Sequence, residues 1–271
     1  AYNVLTFEIT EPETRDFFNG MLGILQSFGG MLGPFIAGYI ISRMEANIGY
    51  SVIFTISFIL FIAAVVTSFF LVRRPAEGNF YFKKILKERR VNKNWGHILH
   101  AHVFQGLREG LFSFIITIWV YILTQSEMSL GTFNLLLSGL SFVFYFLASK
   151  FIKETMRKKA ILLGGVMLYL AVFIILFEIT FTHLIIYAIV IGIAYPIINV
   201  PYVSLTYDVI GKAKAAASLR VEYIVVRELF VNLGRVISIT VFLLAVFFFS
   251  ADYSIFTGDL WDGAFTHVII Y

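Results

Sequence analysis

Seven runs of about twenty mostly apolar residues follow one another along this chain: Phe17–Ile41, Val52–Val72, Ile98–Leu123, Phe133–Phe151, Ala160–Ile179, His183–Val203 and Leu229–Phe249. Roughly twenty such residues in a helix span the hydrocarbon core of a bilayer. Inside that core every backbone N–H and C=O must be satisfied by the chain itself, so a run of this length reads as a helix. An eighth run opens at Ala264. The expected fold class is all-α, a polytopic membrane bundle. Composition agrees: 59% hydrophobic, 17% aromatic and 14% charged, with mean hydropathy +0.85. A soluble domain carries about a quarter charged residues. The chain has no cysteine, which excludes disulfides, thiolate metal sites and cysteine nucleophiles.

The charges between the runs alternate. Arg15 precedes the first run, and Arg73–Lys93 holds eight Lys and Arg. Lys150, Lys153, Arg157, Lys158 and Lys159 follow the fourth run, and Lys212, Lys214 and Arg220 follow the sixth. Thr124–Gly131 and Phe181–His183 hold none, and the segment after the last full run carries Asp252, Asp259 and Asp262. Cytoplasmic loops of membrane proteins are enriched in Lys and Arg, so loops 73–97, 150–159 and 210–220 are expected in the cytoplasm. Hydropathy and charge therefore agree on seven spans in a multi-pass protein of the cell membrane. The basic balance, net +4, is explained by these loops and calls for no nucleic acid. The interior of the longest loop, FYFKKILKERRV, reads equally as a short amphipathic helix on the inner leaflet or as a solvated linker.

The chain repeats itself. AYNVLTFEI at its start matches PYVSLTYDV at Pro201–Val209, so that Thr6-Phe7-Glu8 face Thr206-Tyr207-Asp208. After a slip, Arg15 faces Arg220, Phe18 faces Tyr223, Leu25 faces Phe230 and Gly29 faces Gly234. Both copies run from the inner end of one span into the next, as parallel repeats about an axis normal to the membrane do. The match implies a helix ending near Ala1, four spans before the sequence and twelve in all. It divides the chain into 1–72, the end of a first six-helix half; 73–97, a central cytoplasmic loop; and 98–271, most of a second half.

Within the first run, Gly29, Gly33 and Ala37 recur every fourth residue, with Pro34 after the second and Gly38 closing the set. Small residues at this spacing let helix backbones approach closely in a membrane. By this element and the two-half repeat, the chain resembles a major facilitator superfamily transporter from the end of its fourth span to the start of its twelfth. It is similar in particular to uncharacterised Gram-positive members of efflux type. The resemblance covers essentially all 271 residues. Gly29-x-x-x-Gly33-Pro34-x-x-Ala37-Gly38 resembles the span-five signature of proton-coupled exporters, with alanine where that pattern has glycine. After span eight the family pattern G-x-x-x-D-R-x-G-R-K is matched only by Arg157-Lys158, and Lys153-Glu154 reverse its acid–base order. The departure puts the charge relay of that motif in question.

Polar residues at membrane depth are the candidates for chemistry. Gln105, Glu109, Ser113 and Thr117 are spaced by four, with Arg108 beside Glu109. Such groups cost at least roughly 2.5 kcal/mol each in the bilayer, so they face a wet cavity or a partner. Two readings stand side by side: a proton site at Glu109 tuned by Arg108, or an Arg108–Glu109 pair that fixes packing. Tyr195 and Asn199 share a face with Tyr202 between Pro196 and Pro201, and read as substrate contacts or as an ordinary kink with interfacial tyrosines. Arg157, Lys158, Asp208, Arg227, Glu228 and Arg235 are gating or ion-pair candidates, with Arg235 expected to pair with a span outside this sequence. His97, His100 and His102 are not expected to bind metal, because His97 and His102 lie on different faces. The expected activity is secondary active transport of a small solute by alternating access, and no enzyme is expected, since the sequence carries neither a nucleophile elbow nor a glycine-rich phosphate loop. The energy source is a proton gradient without a cofactor, the direction outward, and the full-length protein a monomer in lipid. Import by the same fold, a membrane enzyme and a channel are the alternatives. The channel is disfavoured by the two-half repeat.

Overall fold

The structure is a computed structural model that describes residues 6, 7, 9–70, 80–176, 179–213, 216 and 218–249. The run beginning at Ala264, Lys214 and the acids after Phe249 lie outside the described residues. The elements, all helical, are α1 (Arg15–Arg43), α2 (Ala46–Ser68), α3 (Phe82–Glu88), α4 (Lys93–Thr124), α5 (Glu127–Phe151), a 3₁₀ turn (Glu154–Met156), α6 (Arg157–Leu176), α7 (Phe181–Gly211) and α8 (Arg220–Phe249). Seven of them are long and apolar enough to cross a membrane.

Most of these helices outrun the apolar stretches read from the sequence. With 32 residues in α4 and 31 in α7, they exceed the roughly 20 that cross the hydrocarbon. Their extra turns are polar, such as Thr206–Gly211 on α7 and Arg220–Glu228 on α8. Hydropathy reports where the oil ends, whereas the hydrogen-bond ladder continues until a cap or a turn stops it. Asn92 stops α4 at its start, its side-chain oxygen accepting from Trp95 N–H at 3.2 Å. Ser126 and Thr180 do the same for α5 and α7, each at 3.2 Å. Gln125, at φ 47°, takes the left-handed turn between α4 and α5.

The chain forms two compact units, Ala1–Phe82 with Trp119–Ile224, and Lys83–Ile118 with Val225–Tyr271. In the first, α1 lies along α5, α5 along α7, and α7 along α6. The α1–α5 contact is close because one side lacks side chains. A Cβ on Gly20 would overlap Ser149, and one on Gly23 the ring of Tyr145. A Cβ on Gly131 of α5 would lie 2.8 Å from the Pro34 carbonyl oxygen. Gly38 meets the backbone of Glu127. The buried stripe thus runs through Gly20, Gly23, Ser27, Gly30 and Gly38. It is turned away from the Gly29–Gly33 spacing, since a Cβ on either of those two meets no described atom within 4 Å. Phe7 and Tyr207 face each other with ring centroids 5.7 Å apart.

In the second unit, α4 and α8 meet backbone to backbone. A Cβ on Gly106 would overlap the Val231 carbonyl, one on Gly234 the Val103 carbonyl, and one on Gly110 would lie 2.8 Å from the Arg235 Cα. Large apolar side chains on the outside, including Phe54, Phe58 and Phe61 of α2, are exposed and suit lipid.

Overpacking a tight contact costs about 1–3 kcal/mol. Gly131→Leu is therefore expected to lower the thermal midpoint of the detergent-solubilised protein. Gly165→Ala, where a Cβ meets nothing within 4 Å, is expected to leave it unchanged or raise it.

Candidate functional site

Two groups of charged side chains are built by these contacts, one in each unit. The first joins the ends of α1, α6 and α7 that carry the basic loops. Arg157 opens α6 and is 1% exposed. Its Nε donates to Asp16 Oδ2 at 2.8 Å, its Nη2 donates to the Pro12 carbonyl at 2.9 Å, and its Nη1 donates to Asp208 Oδ2. The other oxygen of Asp208 accepts from Arg15. Arg15 also stands over the Phe7 ring, 5.3 Å from its centroid. Two acids and two guanidinium groups, each no more than 8% exposed, thus form a compact neutral group. One turn further into α1, Asn19 Nδ2 donates to Ser204 Oγ at 2.9 Å, which donates in turn to the Val200 carbonyl at 2.9 Å.

Of the sequence candidates, Arg157 and Asp208 meet here, whereas Lys158 is exposed outside the group. The reversed Lys153-Glu154 pair does not stop Arg157 from finding acids, because Asp16 and Asp208 come from α1 and α7. Asp16 and Asn19 were not singled out by sequence reasoning. The available signal was Arg15-Asp16 at the head of a spanning helix, the position that the repeat pairs with Arg220.

The second group lies between α4 and α8. Glu109 Oε1 accepts from Gln105 Nε2 at 2.8 Å, one helical turn away, and its Oε2 accepts from Arg235 Nη2 at 2.8 Å. Arg235 Nη1 reaches Asn232 Oδ1 at 3.2 Å. Arg108 stands 4.0 Å from Glu109 Oε1, so the nearer cation is on α8 and not on the adjoining residue. Among the described residues Arg235 thus finds its acid within the sequence, on α4. The cause is Gly106-Leu107-Arg108-Glu109-Gly110, a small-x-x-x-small element around the charged pair, which with Gly234 brings the two backbones together. That element was legible in the sequence and was passed over. Thr117 is exposed on α4, the Ser113 side chain lies outside the described residues, and Arg227 pairs with its neighbour Glu228.

Two further polar links complete the first unit. Asn199 Nδ2 donates to Tyr145 Oη at 2.9 Å, and Tyr195 packs against the Tyr145, Ala148 and Val200 cluster. At the opposite end of the helices from Arg157, Tyr50 Oη donates to Glu127 Oε1 at 3.0 Å, with Tyr121 Oη 3.5 Å from the same oxygen.

This chain of apolar helices with buried charge between spans matches the family model described as the Major Facilitator Superfamily over residues 1–239. The chain belongs to that superfamily. Its members are secondary transporters, not enzymes. The chain is 56% identical over 255 residues to "Uncharacterized protein YqgE" of Bacillus subtilis (strain 168), a match covering 94% of this chain and 59% of that protein. Over 54 residues it is 65% identical to "Uncharacterized protein in sodM 3'region" of Geobacillus stearothermophilus, covering 20% of this chain and 25% of that protein. The chain thus spans well under two thirds of the curated relatives it matches. No solved structure matches it.

Removing one partner of a buried ion pair costs about 3–5 kcal/mol, since the other charge stays buried. Asp208→Asn, which strips two arginines of their shared acid, should lower the thermal midpoint steeply. In a double-mutant cycle read by stability, Glu109 and Arg235 should show coupling of about 0.5–3 kcal/mol. Placing Leu at Gly106 should abolish that coupling.

Proposed function

We propose that the full-length protein is a secondary transporter of the plasma membrane that moves a small solute outward in exchange for protons, by alternating access. The observation that carries the coupling is Glu109, a carboxylate on a spanning helix held by Arg235 and Gln105. A charged carboxylate matched by a guanidinium is stable at membrane depth. The same carboxyl, once protonated, gives up that match, so proton binding and the α4–α8 contact compete.

The Asp16–Arg157–Asp208–Arg15 group supports a gate on the cytoplasmic side, the side assigned by the basic loops. Opening that side requires α1 to part from α6 and α7, and so the ion pairs must exchange for water. The Tyr50–Glu127 bond is the corresponding tie at the other end. On this reading Asn199, bonded to Tyr145, and Tyr195 beside it meet the solute once α1 withdraws. Outward direction is supported by Gly33-Pro34, which resembles the exporter signature and stands in one half of the repeat only: Ser238 and Ile239 occupy the matching positions.

The test is solute flux in vesicles containing the full-length protein, with and without an imposed proton gradient. Gradient-driven accumulation in inverted vesicles is expected for the wild type. Glu109→Gln should lose the dependence on the gradient while retaining solute exchange. Accumulation in right-side-out vesicles instead would establish import, and an unchanged gradient response in Glu109→Gln would remove the proton role.

A further inference from the structure

The link between α3 and α4 is braced as a rigid elbow. Ile85 and Trp95 are fully buried, and the Trp95 indole N–H donates to the Ile85 carbonyl at 3.3 Å. The backbone turns continuously through Arg90 N–H to the Lys87 carbonyl, Val91 and Asn92 N–H to that of Glu88, and Gly96 N–H to that of Asn92, all between 2.8 and 3.0 Å. Gly96 lets this turn close, since a Cβ there would lie 3.0 Å from the Arg89 carbonyl oxygen. The apolar side of the elbow is thereby turned inward. Lys83, Lys84, Lys87, Arg89, Arg90 and Lys93 are all exposed, with Glu88 the one acid in that stretch. Val91 projects among them, 87% exposed.

Like charges held together by a folded elbow repel, and a flexible linker would relax that repulsion by spreading out. Here the buried Ile85–Trp95 contact limits that spreading, and one acid against six cations leaves the exposed face positive, which favours added negative charge there. The elbow opens directly into α4, a membrane-spanning helix that begins at Lys93, which puts these cations at headgroup level. A cluster of four to eight Lys and Arg beside a spanning helix attracts anionic lipid. We infer that the elbow is a binding surface for anionic phospholipid headgroups of the bilayer in which the protein sits, with Val91 entering the acyl boundary.

The test uses the full-length protein in phosphatidylcholine bilayers with a trace of spin-labelled phosphatidylglycerol or spin-labelled phosphatidylcholine. The motionally restricted fraction of each label gives the lipid selectivity. Wild type should favour phosphatidylglycerol, and K83Q/K84Q/K87Q/R90Q/K93Q should reduce that preference roughly tenfold. Arg89 is left in place because it stands over the Phe230 ring at 5.8 Å. The charge-keeping K83R/K84R/K87R/R90K/K93R should retain the preference. Unchanged selectivity in the glutamine variant, or equal loss in the charge-keeping one, would overturn the inference. Displacement of the labelled lipid by excess inorganic phosphate would also overturn it, identifying a site for free anions.

Discussion

The first unit depends on keeping the Arg157 guanidinium satisfied. An arginine cannot shed its proton to escape burial, so each donor must find an acceptor or the charge must leave the interior. Arg157 has its acceptors on two separate segments: the Pro12 carbonyl and Asp16 at the head of α1, and Asp208 near the end of α7. The two segments are far apart in sequence. Their agreement requires that α1, α6 and α7 end at the same depth and in a set rotation. Glycines along α1 and Gly131 on α5 hold that rotation, because only there can the backbones come close enough.

The second unit reaches a comparable result by another route. Glu109 and Arg235 sit within their helices, away from the ends, and their separation is set by backbone contact at Gly106, Gly110 and Gly234. Charge gathered at helix ends is reinforced by backbone carbonyls and turns. Charge gathered mid-helix has only side chains to complete it, here Gln105 and Asn232. The first group is thus closed by backbone and side chains together, the second by side chains alone.

The all-α class and the seven spans were legible from hydropathy and charge, because lipid imposes one rule on every residue of a span. Partner choice was harder to read. Glu109 and Arg235 stand far apart in the chain, and their pairing follows from a rotation of two helices that periodicity leaves open. The Gly29–Gly33 spacing pointed to a packed face. The packed face instead runs through Gly20, Gly23, Gly30 and Gly38, so with this many glycines the spacing alone did not single out the contact. Arg157 was legible as a motif residue, but its acids came from elements that the motif does not contain.

The contact between α4 and α8 also bears on movement. Helices that interlock through large side chains must change rotamers before they can slide, and each change has a barrier. Where Gly106 and Gly234 meet, there are no knobs to lift out of holes. The two backbones meet directly, so the spacing of Arg235 and Glu109 is set by backbone contact and not by rotamers. On the proton role proposed for Glu109, a change of its charge would act on the position of a whole helix.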